Sequence, residues 1–121
     1  MDIKRFDLEG RLIDFAVAII KFVTALPNNR ITYHFSVQLI RSGTSPALNY
    51  AESQSAESRK DFIHKMSIAL KELRESLVNL KILQRSGMAK DHSDIDQIIN
   101  ECNQLISIFV KSINTAKMPK S

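Results

Sequence analysis

SRKDFIHKMSIALKELRESLVNLKILQRSG, residues 58–87, begins and ends with helix signals and keeps helical period between them. Ser58 followed by Asp61 has the spacing of a capping box, with Asp in place of the usual Glu, and Gly87 stands where a left-handed C-terminal residue belongs. Between them Phe62, Met66, Ala69, Leu73, Leu77 and Leu80 recur at steps of three and four, widened by Ile63 and Leu70. The stretch predicts a helix over 59–86 with one broad apolar flank.

The same period extends in both directions. Leu8, Leu12, Phe15, Ile19, Phe22 and Leu26 form a strict seam, with Asp7 as N-cap and Pro27 as the stop, and predict a helix over 7–26. A second helix, 29–55, starts at Asn28 or Asn29 and contains Gly43 and Pro46. A proline inside a helix deletes one backbone bond and clashes with the preceding turn, at a cost of about 3 kcal/mol, so a kink or break is expected near Thr44. A fourth helix, 94–114, opens near Ser93 with an acid at Asp96 and carries Ile95, Ile98, Ile99, Cys102, Leu105, Ile106, Phe109 and Ile113. The tail from Thr115 to Ser121 is expected to fray. Four amphipathic helices on short connections predict an all-α, antiparallel up-down four-helix bundle, with residues 1–121 as one domain.

Composition agrees. A chain of 121 residues is sized for one core, and 44% hydrophobic with 25% charged residues is globular rather than disordered. Three glycines, three prolines and no tryptophan leave too little turn chemistry for a β-sandwich. The lone Cys102 has no partner for an internal disulfide, and its apolar surroundings predict a reduced core thiol. The longest apolar run, Phe15 to Ile20, is far short of the roughly 20 residues that span a bilayer, and the acidic N-terminus lacks a signal-peptide layout, so a cytoplasmic protein without membrane contact is expected.

Gln38, Arg41, Ser45, Asn49 and Glu52 share one edge of the second helix, at spacings of three, four, four and three. Something polar must meet that edge. One reading is a ligand or RNA site, with Arg41 on phosphate and the amides of Gln38 and Asn49 beside it. The other is a network between helices or subunits, with Arg41 paired to Glu52 or Glu72. Glu52 would repel phosphate, which favours the second.

The net charge of +4 sits mostly on the third helix: residues 57–87 carry +3, residues 29–56 carry +1, and the remaining segments balance. At about 100° per residue from Phe62, Lys60, Lys71, Arg74, Lys81 and Arg85 fall between about 100° and 180°, and Glu57, Asp61, Glu72 and Glu75 between about 220° and 280°. Such a basic ridge suits phosphates, whereas charged helices more often carry solvated i,i+4 pairs. Val78, Ile82 and Ile68 lie at about 160°, 200° and 240°, away from the seam, and the second helix has apolar residues on two sides, Leu39 and Tyr50 against Val37 and Leu48. Self-association through Ile68, Val78 and Ile82 is therefore expected.

Catalytic patterns are lacking. His34, His64 and His92 show no HExxH spacing, no glycine-rich phosphate loop is present, and Ser45 has no nucleophile-elbow context. Glu52 and Glu72 invite comparison with di-iron bundles, but neither is followed three residues later by His. No metal, no cofactor and no enzymatic activity are expected.

The string from Gln38 to Glu52, QLIRSGTSPALNYAE, resembles the signature of the four-helix-bundle proteins encoded in intervening sequences of bacterial 23S ribosomal RNA genes, Q-[IL]-R-R-A-x-x-S-I-x-x-N-I-A-E-G. Gln38, Arg41, Ser45, Asn49, Ala51 and Glu52 match in register, Phe62 and Glu72 match the following F-x9-E helix, and Phe6 with the Leu12 seam resembles the opening helix. Ile40 replaces the first arginine of the family's pair and Ser53 the glycine. The resemblance implies a bundle with a kinked second helix that closes into rings, typically homopentamers. It is also similar to the accessory proteins of diversity-generating retroelements, pentamers whose basic surface contacts nucleic acid and a reverse transcriptase. The implied partners are further copies of the chain and RNA, DNA or a nucleic-acid-processing protein. A self-assembly or protein-interaction module with no nucleic-acid contact remains the alternative.

Overall fold

The computed structural model describes residues 7–89 and 94–119, which form four helices and no strand: α1 (Leu8–Thr24), α2 (Arg30–Ser53), α3 (Arg59–Ser86) and α4 (Ile95–Lys117). The start signals hold in part where they are described: of the box expected at Ser58 and Asp61, only the Ser58 half forms. The Asp7 carboxylate accepts from the Gly10 amide at 2.9 Å, and the Ser58 hydroxyl from the Asp61 amide at 3.0 Å. Asn29 and Thr32 form a reciprocal capping box, each side chain accepting from the other's backbone amide. Gly87 ends α3 with φ of 81°, a conformation open to glycine at little steric cost. Ser93 lies outside the described residues, and α4 starts behind Asp94 without a side-chain cap bond.

Two expectations change. The tail does not fray from Thr115, because α4 continues to Lys117 and the Arg59 guanidinium, reaching across from the start of α3, donates to the carbonyls of Ala116 and Met118 at 3.4 and 3.1 Å. Those acceptors at the helix end would otherwise depend on water. Of the kink or break expected in α2 near Thr44, the break does not occur. The helix runs unbroken through Gly43 and Pro46, both buried, and the packing on either side of it outweighs the lost backbone bond. Gly43 lies tight against α1: a Cβ there would be 2.9 Å from Ile19 Cγ1. What reads as a helix breaker is a contact point.

The seams meet in one core, with Leu12, Ile19 and Phe22 of α1, Leu39 of α2, Met66, Leu73 and Leu80 of α3, and Leu105 and Phe109 of α4 almost wholly buried. α2 packs against α1 and α3, and α4 against α3 and, over a smaller area, α1. Side-chain pairs set the register. On the α2–α3 seam Ser42 bonds Ser76 at 2.7 Å and Ser53 reaches Met66 Sδ at 3.4 Å; from α4 the Cys102 thiol donates to the Leu73 carbonyl at 3.3 Å. Cys102 is a buried free thiol, and burial, reinforced by Glu101, pushes its pKa up to about 12. It is unreactive packing material.

Candidate nucleic-acid interface and its flanking surfaces

Each residue of the polar stripe of α2 has a partner within the chain. Gln38 Nε2 meets His34 Nε2 at 3.2 Å, and the Asn49 amide donates to the Ser45 hydroxyl and carbonyl at 2.9 and 3.1 Å. Arg41 splits its fork between two carboxylates of α3, Glu72 at 2.5 Å and Glu75 at 2.8 Å. Of the two partners expected for Arg41, Glu72 is found. Glu52 instead receives Lys65 at 2.6 Å, seven residues and roughly 10 Å along α3 from Glu72. The stripe is thus the solvent edge of the α2–α3 seam, with Arg41 55% exposed and Glu72 only 12%. Hydrogen bonding to Glu75 and the nearby charge of Glu72 raise the Arg41 pKa, holding its charge more firmly. Beneath that edge lies the buried Ser42–Ser76 pair, whose sequence signal was two hydroxyl residues at core-facing positions of otherwise apolar seams.

These pairings change the electrostatics of α3. Glu72 and Glu75, two of the four acids on its acidic ridge, are matched by Arg41, while none of Lys60, Lys71, Arg74, Lys81 and Arg85 forms an ion pair with a described residue. Lys60, Lys71, Arg74 and Arg85 are exposed. Lys81 is half-buried, which makes it the least available member of the ridge. A groove of about 600 Å³ between α2 and α3 is lined by Gln38, Lys71, Arg74, Glu75, Val78 and Asn79. At the far end, Arg59, Lys60 and Lys117 surround a hollow of about 310 Å³, which adds two cations that the α3 wheel did not collect.

Of the residues expected at an oligomer interface, Val78 and Ile82 are exposed and Ile68 is half-buried. Val78 lines the same groove as Lys71 and Arg74, so the structure brings the expected interface and the basic ridge onto one surface. A larger exposed apolar set lies elsewhere. On α1, Ile13, Val17 and Ile20 stand outward; on α2, Tyr33, Val37, Ile40 and Leu48 do the same, each of the seven between 42% and 69% exposed. The α1 residues repeat at steps of four and three, a second ridge visible to the wheel analysis that singled out Val78 and Ile82 on α3.

Fold and surface together define a small all-helical protein with a charge-matched α2–α3 edge and an unmatched basic helix beside it. The chain belongs to the family of 23S rRNA-intervening sequence proteins, whose model matches residues 6–111. It is similar to a protein of unknown function from the S23 ribosomal protein family of Bacteroides thetaiotaomicron VPI-5482, seen in a crystal structure at 1.70 Å resolution: 32% identity, a TM-score of 0.80, and coverage of 88% of this chain and 95% of that one. No curated protein matches. No described helix is long and apolar enough to cross a membrane, and no group of three or more His, Cys, Asp or Glu among the described residues is placed to hold a metal ion.

Proposed function

We propose that this protein is a non-catalytic, homo-oligomeric helical bundle that binds nucleic acid, alone or within a ribonucleoprotein, through the basic surface of α3. The observation that carries the reading is the unmatched charge: four exposed cations on one helix without an ionic partner among the described residues, while acids of the same helix are paired by α2. Lysine and arginine so placed gain from displacing counterions along a phosphate backbone, and over about 38 Å of helix they reach several phosphates. The family's association with ribosomal RNA genes points to RNA as the first probe. An antiparallel up-down arrangement is supported by the pairings of α2 with α3, where Ser42 meets Ser76 and Ser53 meets Met66, so numbers rise on one helix as they fall on the other. Ring closure, with five copies, is supported by the family resemblance and by aliphatic surface beyond what one chain covers.

Fluorescence anisotropy with a labelled RNA, titrated across salt, tests the reading. Wild type is expected to bind at low salt and to weaken steeply as salt rises. Reversing Lys71→Glu with Arg74→Glu should cost at least about tenfold in affinity and flatten the salt slope by about two. Absence of binding at low salt would overturn the nucleic-acid role and leave the self-assembly module.

A further inference from the structure

We infer that the outward face shared by α1 and α2 is the surface through which copies of this chain meet, and that the outward face of α3 is left free. The inference rests on the self-association proposed above and assigns its location. On α1 the ridge of Ile13, Val17 and Ile20 stands about 140° from the core seam centred on Ile19, on the flank toward α2. Gly43 lies against Ile19, and with the helices so placed this ridge runs alongside Ile40, Thr44 and Leu48. Tyr33, Val37 and Ala51 continue the α2 side. None of these nine positions is charged; the charges nearest to them, Glu9, Lys21, Arg30 and Arg41, lie along the margins of the strip.

Area and desolvation choose the occupant. At the observed exposures the seven large side chains leave on the order of 700 Å² open, beyond the largest patch of a typical monomer and close to the ~800 Å² each partner gives a standard interface. On α3 the alternatives, Val78 and Ile82, are two aliphatics set among Lys71, Arg74 and Arg85. Covering them would strip water from three cations that have no described partner, and an apolar contact returns nothing for that loss. The uncharged strip suffers no such penalty. A second copy of this chain, presenting aliphatic surface in turn, is the partner whose chemistry fits it. Segregation then lets one assembly hold its subunits together and keep its basic helices in water.

Sedimentation velocity of the full chain across concentration provides the test. Val17→Asp on α1 and Leu48→Asp on α2, both at positions that face water in the single chain, should each lower the wild-type mass to that of a monomer. Val78→Asp should leave the mass unchanged. Circular dichroism checks that helix content is retained, and Ile13→Lys with Val37→Lys repeats the measurement with the opposite charge. An oligomer that survives the α1 and α2 substitutions, or that falls apart on Val78→Asp, would overturn this placement while sparing self-association. A wild-type chain that stays monomeric at high concentration would overturn both.

Discussion

Helix α2 is held to its two neighbours by different chemistry. Against α1 the contact is one of shape, with Gly43 pressed on the Ile19 side chain and no hydrogen bond crossing at that point. Against α3 it is polar and layered: the Ser42–Ser76 bond inside, and Arg41 with Glu72 and Glu75, then Glu52 with Lys65, along the wet edge. Close packing sets how near two helices lie but tolerates sliding, whereas hydrogen-bonded pairs select one register. The α1–α2 seam sets distance; the α2–α3 seam sets alignment.

The strongest challenge to that contrast is at Gly43. Alanine there has better helix propensity by about 1 kcal/mol, yet its Cβ would fall 2.9 Å from Ile19 Cγ1, 3.0 Å from Cγ2 and 3.2 Å from Cβ, atoms near the branched stem that cannot swing away. Gly43→Val adds two methyls to the same spot, and a loss of about 3 kcal/mol in urea unfolding is expected, with alanine losing less. A valine variant as stable as wild type would show that α1 and α2 separate freely and that shape does not hold this seam.

On the other seam the prediction is a non-additive pair. Ser42→Ala leaves the buried Ser76 hydroxyl without its partner and should cost about 1–2 kcal/mol, as should Ser76→Ala. Replacing both removes the unsatisfied group, so the double variant should be nearer to wild type than the sum of the single losses by about 1 kcal/mol. Additive losses in the unfolding free energies would mean that the two hydroxyls do not act together.

How far these seams are legible in the sequence follows from what each depends on. The ridge of Met66, Ala69, Leu73 and Leu80 is written as a period and is buried as read, because burial along one helix depends on that helix alone. The polar stripe is visible for the same reason. Its partners are not: Glu52 bonds Lys65 and Arg41 bonds Glu75 because of how α2 and α3 are staggered, and no local pattern encodes stagger. Gly43 and Pro46 mislead in the other direction, since propensity ranks them as breakers while the tertiary contact requires the one and tolerates the other. The last three residues of α4, Thr115–Lys117, are helical partly through Arg59, which lies far away in the sequence. The outward ridge of α1 was within reach of periodicity. It is a second apolar stripe at helical spacing, hidden by the stronger seam beside it.

The smallest effect sharpens the contrast most, because it separates the wet edge of the α2–α3 seam from its buried layer. Arg41 is 55% exposed, so its attraction to Glu75 is weakened by water and salt and is worth a fraction of a kcal/mol. Its other partner is different: with only 12% of the side chain exposed, Glu72 lacks the water to replace a lost guanidinium. Arg41→Ala should therefore cost about 1 kcal/mol at low salt, and adding Glu72→Gln should recover part of it by removing the stranded charge. At high salt the Glu75 share fades and the Glu72 share persists, so the loss should shrink without vanishing. Thermal unfolding of wild type, Arg41→Ala and the double variant at two salt concentrations decides it. A loss that disappears entirely with salt would make the edge a surface decoration and leave the buried pairs Ser42–Ser76 and Ser53–Met66 to hold the register.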